Sequence, residues 1–202
     1  MSIDKRASAD HPIHDLVAQR WSPYAFDPRP VAGGELRSIF EAARWAASSM
    51  NEQPWRYIVA RRETSEEHER LLSCLVPANR EWAKNAPVLA LGVAGLVFAR
   101  NRAPNATALH DLGLASATLT IEATARGLHV HQMGGILPER AAEIYRIPSE
   151  WRVVTALAIG YLGSPDGLPE KLRGRDLAAR GRRPSRETVF EGEWGKPSPL
   201  FP

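Results

Sequence analysis

The segment from Ala47 to Trp55 constrains the fold and function of this chain more than any other. It follows a helical pattern, and Pro54 ends any helix before Trp55 begins a strand. The turn between them carries four short polar side chains: Ser48, Ser49, Asn51 and Gln53. Buried polar groups need hydrogen-bond partners, so this turn suits a bound polar heterocycle better than a core. Alternatively, the side chains satisfy backbone groups of the turn itself, which would account for one or two of the four.

Length and composition predict one packed domain over residues 1–202. The chain has 202 residues, 44% of them apolar, and a net charge of +3. Residues 1–12 are polar and lack the apolar run of a signal peptide, so we expect a flexible N-terminus. The longest apolar stretch, residues 86–99, is too short for a membrane span and reads as a buried strand. The single cysteine, Cys74, fits a reducing cytoplasm and has apolar neighbours, which favours a buried structural role.

Hydrophobic periodicity predicts a mixed α+β chain with a long helix near its centre. Helices are predicted at 12–19, 34–47, 64–75, 79–85, 107–126 and 138–145, and strands at 55–61, 88–93, 128–132 and 153–161. The strand at 88–93 is apolar almost throughout, so we expect it to be central. Residues 163–174 are predicted to be a loop, and the remainder an extended or partly helical tail. This pattern alone leaves the topology open.

The long helix over 107–126 is apolar on more than one side. Its leucines do not fall on a single stripe, and alanines fill the positions between them. A helix of this kind is buried on most sides. It is therefore either a central core helix or a helix shared between the core and a dimer interface.

Four segments combine turn-forming residues with polar or basic side chains: Arg20-Trp-Ser-Pro-Tyr-Ala-Phe26, Ser48-Ser-Met-Asn-Glu-Gln-Pro-Trp55, His131-Gln-Met-Gly-Gly135 and Arg180-Gly-Arg-Arg-Pro184. In this order they resemble the motifs of the nitroreductase family of FMN-dependent oxidoreductases. The resemblance spans most of residues 13–195. It implies a mainly antiparallel sheet wrapped by helices, in an intertwined homodimer. The tail over 164–202 would complete the FMN site and the dimer.

The resemblance also implies a set of cofactor-binding residues. They are Arg20, Trp21, Ser22, Tyr24, Ser48, Ser49, Asn51, Gln53, Asn79, Met133, Gly134, Gly135, Arg180 and Arg182. FMN would be the bound cofactor, at one per subunit, and NADH or NADPH the transient hydride donor. Because the flavin carries the chemistry, we nominate no side chain as catalytic acid or base.

The chemistry of these residues agrees with such a ligand. Arg20, Ser22, Arg180 and Arg182 are phosphate-binding types, since a guanidinium matches phosphate oxygens bidentately; the alternative is that all are surface residues. Met133-Gly134-Gly135 would let the backbone approach a ligand closely, or would be an ordinary turn. His129 and His131 alternate on one face of a strand, but no third ligand type lies near them in sequence, so we expect no metal site.

Two departures from the family pattern concern charge beside the flavin. Many members carry Arg or Lys where this chain has Tyr24, and some carry a cation near the flavin where it has Trp82. A cation there would stabilise negative charge on the reduced flavin. Without one we expect a lower potential, unless another cation compensates. Trp82 is also expected to cover the ring pocket and restrict the acceptor.

The resemblance favours one function: hydride transfer from NAD(P)H through FMN to a nitro, quinone or enone acceptor, by a ping-pong mechanism. One alternative is a flavin-binding or sensing protein without turnover. Another is a specialised reductase of the family, a dehalogenase or flavin-fragmenting enzyme. The basic stretch Lys171–Arg186 leaves nucleic-acid binding as a further alternative, but it lacks interleaved aromatic residues. The expected partners are a second copy of the chain and a small-molecule acceptor, without nucleic acid or membrane.

Overall fold

The computed structural model describes residues 5–201 of the chain. Within them the four strands are Trp55–Arg61 (β1), Val88–Gly95 (β2), His129–Met133 (β3) and Trp151–Gly160 (β4). The helices are Asp15–Gln19 (α1), Gly33–Arg44 (α2), Ser65–Leu72 (α3), Pro77–Ala83 (α4), Ala108–Ala125 (α5), Pro138–Tyr145 (α6) and Glu170–Leu177 (α7). No helix among the described residues is long and apolar enough to cross a bilayer.

The strands form one antiparallel sheet in the order β1-β2-β4-β3. All eight residues of β2 are buried, so the prediction of a central strand is confirmed. Successive side chains of a strand point to opposite faces of a sheet. Leu89, Leu91 and Val93 face a core shared with α3, α4, α6 and α7, while Val88 and Ala90 face a second core formed with α2 and α5. Helices thus cover both faces, which is why β2 is apolar almost throughout and why the α+β prediction is confirmed.

The long helix α5 has a buried side and a partly open apolar side. Leu112 and Leu119 are buried in the core, whereas Leu109 and Leu114 are 40% and 36% exposed. Gly127, just beyond its C-terminus, has a φ of 68°, a conformation that glycine adopts without a steric penalty. The core role is therefore confirmed, and the interface role stays a prediction.

The prediction of a loop over 163–174 is wrong, because α7 begins at Glu170. Leu172 and Asp176 lie four residues apart, on one face of α7, and both are buried. Thr64 is the N-cap residue of α3, but its hydroxyl donates to the Arg61 carbonyl and does not cap the helix.

The segment Arg20–Phe26 is held against the end of β4. Phe26 pairs with Leu162, and the Gly163 N–H donates to the Ala25 carbonyl at 3.1 Å. A Cβ at Gly163 would lie 2.5 Å from the backbone carbon of Phe26, so only glycine permits this approach. The predicted flexible N-terminus lies partly outside the described residues, at 1–4; within them, the Ala7 N–H donates to the Ala18 carbonyl.

Candidate functional site

Three guanidinium groups from two distant parts of the sequence, Arg20 and the neighbouring pair Arg180 and Arg182, gather beside the N-terminal segment. Arg20 Nη1 donates to Ser22 Oγ at 3.3 Å. Burial and the positive charges of Arg180 and Arg182 lower the pKa of Arg20, and burial and Arg182 lower the pKa of Arg180. Within residues 5–201 no carboxylate forms an ion pair with any of the three. This arginine cluster (Arg20, Arg180 and Arg182) is therefore an uncompensated positive site suited to an anion.

Only part of this region is free to contact a ligand. Arg180 Nη1 donates to the backbone carbonyls of Lys5 and Ala18, at 2.8 and 2.7 Å, which leaves its other N–H groups available. The Trp21 ring is 7% exposed and packs edge-on against His129 at 5.7 Å. Trp21 therefore supports the segment with its side chain, and its contact with a ligand would come from the backbone.

A residue that the sequence analysis missed holds this segment in place. Asp176, 1% exposed on α7, accepts the backbone N–H groups of Tyr24 and Ala25 at 3.0–3.1 Å. Burial raises the pKa of Asp176, although these N–H groups and the charge of Lys5 act in the opposite direction. The sequence signal for a helix that buries Asp176 is the i, i+4 spacing of Leu172 and Asp176. The prediction of a loop over 163–174 did not take this spacing into account.

A second group of predicted residues meets at the end of β3. Asn79 Nδ2 donates to the Gly135 carbonyl at 3.0 Å. A Cβ at Gly135 would lie 2.4 Å from Asn79 Nδ2 and 2.9 Å from Val76 Cγ2, whereas one at Gly134 would meet nothing within 4 Å. The first residue of this segment, Met133, is buried. This glycine loop (Met133–Gly135) therefore presents open backbone at Gly134, with Asn79 beside it.

Tyr24, four residues after Arg20, packs against β3, the strand that leads into the glycine loop. Its ring centre lies 4.7 Å from that of His131 on β3, and His131 Nδ1 is 2.9 Å from the Pro23 carbonyl oxygen. Trp82 lies beneath both, 5.1 Å from Tyr24 and 4.5 Å from His131 between ring centres. Trp82 is only 1% exposed, so the expectation that it covers a ring pocket is wrong. It is a core residue that packs beneath Tyr24 and His131.

The two strand histidines belong to this packing. Burial lowers the pKa of His131, and burial together with the charge of Arg20 lowers the pKa of His129. Among the described residues there is no group of three His, Cys, Asp or Glu side chains placed to hold a metal ion.

The polar turn (Ser48–Gln53) satisfies much of its hydrogen bonding locally. Ser48 Oγ accepts the Gln53 N–H at 3.0 Å, and Gln53 Nε2 donates to the Asn51 carbonyl at 3.0 Å. The Ser49 N–H donates to the buried carboxylate of Asp111 on α5, at 3.2 Å. The alternative that these residues stabilise the turn thus accounts for Ser48 and Gln53, while the Asn51 side chain stays exposed.

The backbone of the polar turn is strained. Met50, Asn51 and Gln53 have φ angles of 55°, 55° and 52°, in the left-handed region that favours glycine. Met50 is also 69% exposed. Strained residues cost about 1–3 kcal/mol each and cluster where a ligand or partner is bound. The strain therefore marks the turn as a functional candidate independently of its side-chain types.

The sheet register separates the polar turn from the glycine loop. Trp55, which follows the turn, pairs with Ala94, and Ala94 pairs with Arg152. Met133 pairs with Ala156, on the far edge of the sheet. The two positions are three strand spacings apart, roughly 14 Å, and roughly 13 Å apart along the strands. One chain therefore brings the predicted residues together in two places, not one.

Comparisons with known proteins identify the family. The nitroreductase family model matches residues 17–161. The chain is similar to a crystal structure of an oxidoreductase containing FMN, with 34% identity, a TM-score of 0.89, and coverage of 96% of this chain and 98% of that one. The chain belongs to the nitroreductase family, so the resemblance seen in its motifs is confirmed.

Two curated relatives match shorter stretches of the chain. A putative NADH dehydrogenase/NAD(P)H nitroreductase of Streptomyces coelicolor is 43% identical over 76 residues, which is 38% of this chain and 37% of that protein. An uncharacterized 15.4 kDa protein of Mycolicibacterium smegmatis is 39% identical over 87 residues, which is 43% of this chain and 58% of that protein. The chain therefore spans about half the length of these two relatives.

Proposed function

We propose that this protein is an FMN-dependent oxidoreductase that uses NADH or NADPH as hydride donor. The observation that carries the proposal is the arginine cluster, three guanidinium groups without a carboxylate partner among the described residues. A phosphomonoester such as that of FMN carries a charge near −2 at neutral pH and accepts several charge-assisted hydrogen bonds. Arg20, Ser22, Arg180 and Arg182 would hold that phosphate.

The rest of the cofactor would run from the arginine cluster towards the glycine loop. Tyr24 lies between the two, and Gly134 offers backbone that no side chain covers. Asn79 keeps the loop in position through its hydrogen bond to the Gly135 carbonyl. The buried rings under Tyr24 exclude water from that side. Bound FMN would supply the redox chemistry, and these residues would bind and orient it.

The polar turn would contribute from a second copy of the chain. It lies too far from the glycine loop of its own chain to contact the same ring, yet it carries the exposed Asn51 and a strained backbone. A homodimer in which α5 packs against its partner would cover the half-exposed Leu109 and Leu114. It would also place the turn of one subunit beside the glycine loop of the other, and the tail over 164–202 would complete both site and dimer.

The hydride donor and the acceptor would use the same site in turn. A nicotinamide donor would bind over the ring face and leave before a nitro, quinone or enone acceptor takes its place, which is a ping-pong cycle. The comparison supporting this is the NAD(P)H nitroreductase name of the Streptomyces coelicolor relative.

The visible spectrum of the purified protein tests the proposal. We expect a yellow protein that releases one FMN per subunit on heating and oxidises NADH or NADPH in the presence of a quinone. A colourless protein that fails to take up added FMN would contradict the cofactor. A protein that holds FMN but does not turn over with either nicotinamide would instead be a flavin-binding protein without enzyme activity.

A further inference from the structure

One guanidinium beside the proposed FMN site remains unused. Arg175, near the end of α7, donates from Nη1 to the Tyr24 hydroxyl at 3.1 Å, and its Cζ lies 5.9 Å from the centre of the Tyr24 ring. It is exposed, and within residues 5–201 it forms no ion pair with a carboxylate. Its charge is therefore fixed to Tyr24 and is not neutralised.

The contacts around α7 hold Arg175 in this position. Its neighbour Asp176 accepts the backbone N–H groups of Tyr24 and Ala25. The Arg175 carbonyl itself accepts a hydrogen bond from Lys5 Nζ at 3.3 Å. These bonds fix the backbone at Arg175 and at Tyr24, and the hydrogen bond to the Tyr24 hydroxyl holds the guanidinium itself.

Tyr24 stands where the ring end of the cofactor would lie. Along its segment Trp21 and Pro23 are buried, whereas Ser22 and Tyr24 are only half-buried, so alternate side chains face outwards. Ser22 belongs to the phosphate end through its contact with Arg20. Tyr24 contacts His131, two residues before Met133 at the glycine loop. A cofactor that spans from the arginine cluster to the glycine loop along this segment would pass beside Tyr24, and with it Arg175.

We propose that Arg175 supplies the positive charge beside the flavin ring and raises the reduction potential of the bound cofactor. The inference rests on the proposed function. Reduction adds negative charge to the flavin, and a nearby cation binds the reduced form more tightly than the oxidised form. The charge that is missing at Tyr24 would thus be restored by a residue 151 positions away in sequence.

The test is a redox titration of the FMN-loaded protein and its variants. Arg175→Gln removes the charge, and Arg175→Lys keeps it. The matched control is Arg173→Gln on the same helix, because Arg173 is exposed and paired with Asp166 at 3.2 Å. We expect Arg175→Gln to weaken binding of reduced relative to oxidised FMN about tenfold, which lowers the two-electron potential by about 30 mV. Arg173→Gln should leave the reduction potential unchanged, and the potential of Arg175→Lys should stay close to that of the wild-type protein.

Two results would overturn the inference. One is an Arg175→Gln potential equal to that of Arg173→Gln. The other is a loss of oxidised FMN binding at unchanged potential, which would make Arg175 a phosphate ligand. Tyr24→Phe, which removes only the hydroxyl, should lower the potential less than Arg175→Gln does. A wild-type protein that binds no FMN would contradict the proposed function instead, so the two failures are distinguishable.

Discussion

The arginine cluster and the polar turn are built in opposite ways. The first is held by contacts between distant parts of the chain: Arg180 bonds to Ala18 across 162 residues, and Asp176 bonds to Tyr24 across 152. The second is held mainly by short-range contacts, such as that between Ser48 and Gln53 across five residues. Tertiary contacts preorganise the cluster within one chain. The turn is locally closed and strained, and in the proposed dimer a second copy of the chain would complete its site.

The largest expected effect is on stability, and it distinguishes Trp82, in the core beneath Tyr24 and His131, from Trp45, on the surface beside the polar turn. Trp82→Ala should lower the free energy of unfolding by about 3–5 kcal/mol, because it leaves a cavity under Tyr24 and His131. Trp45 is the matched control. It lies at the end of α2, just before the polar turn, and is 74% exposed, so Trp45→Ala should cost less than about 1 kcal/mol. Urea denaturation measures both. Similar midpoints for the two variants would contradict the core position of Trp82.

The next effect concerns the cluster itself. Arg182→Ala should remove a charge-assisted bond of roughly 1.5–3 kcal/mol and weaken FMN binding about ten- to a hundredfold. Arg183→Ala removes the same charge one residue away, from an exposed position, and should change the affinity only slightly. Titration of the apoprotein followed by flavin fluorescence gives both constants. Equal losses in the two variants would mean that only the net charge of the tail matters.

A mixed dimer tests whether cluster and turn of one site come from different chains. Asn51→Ala alone should weaken FMN binding about fivefold, since it removes one neutral hydrogen bond of about 1 kcal/mol. When Arg182→Ala and Asn51→Ala chains are paired, one site carries both changes and the other carries neither. Half of the sites in purified heterodimers should therefore bind FMN with wild-type affinity. If no site does so, Arg182 and Asn51 of a site belong to the same chain.

The smallest effect is the pH dependence of stability that comes from the two histidines on β3, His129 and His131. Burial lowers the pKa of both His129 and His131 below the unfolded value of about 6.5, so the native state favours their neutral forms. Their contribution to stability is present above about pH 6.5 and is lost as the pH falls towards the lower folded pKa values. His129→Phe should make the free energy of unfolding fall less between pH 7 and 5 than it does in the wild-type protein. If the free energy of unfolding of His129→Phe changes with pH as it does in the wild type, the lowered pKa of His129 is contradicted.

The sequence predicted the elements with the clearest periodicity and the strongest local signals. Strand Trp55–Arg61 and helix Pro138–Tyr145 have the bounds that the pattern predicts, and β2 is central as its apolar run implies. The motifs also predicted the family, because each joins a turn or loop of special geometry to polar side chains. The α7 helix was missed, since its single buried face shows only at Leu172 and Asp176 among charged residues.

The sequence by itself determined the sheet elements, the family and the residue types of the proposed anion and flavin site. Only the tertiary structure decided how these residues are grouped. It placed Trp82 inside the core, Arg175 against Tyr24, and the polar turn across the sheet from the glycine loop. The physical reason is range: periodicity and turn chemistry act over a few residues and can be read in order along the chain. Burial, charge proximity and register depend on residues that are tens of positions apart, or 151 apart for Arg175 and Tyr24, and no local pattern brings such residues together.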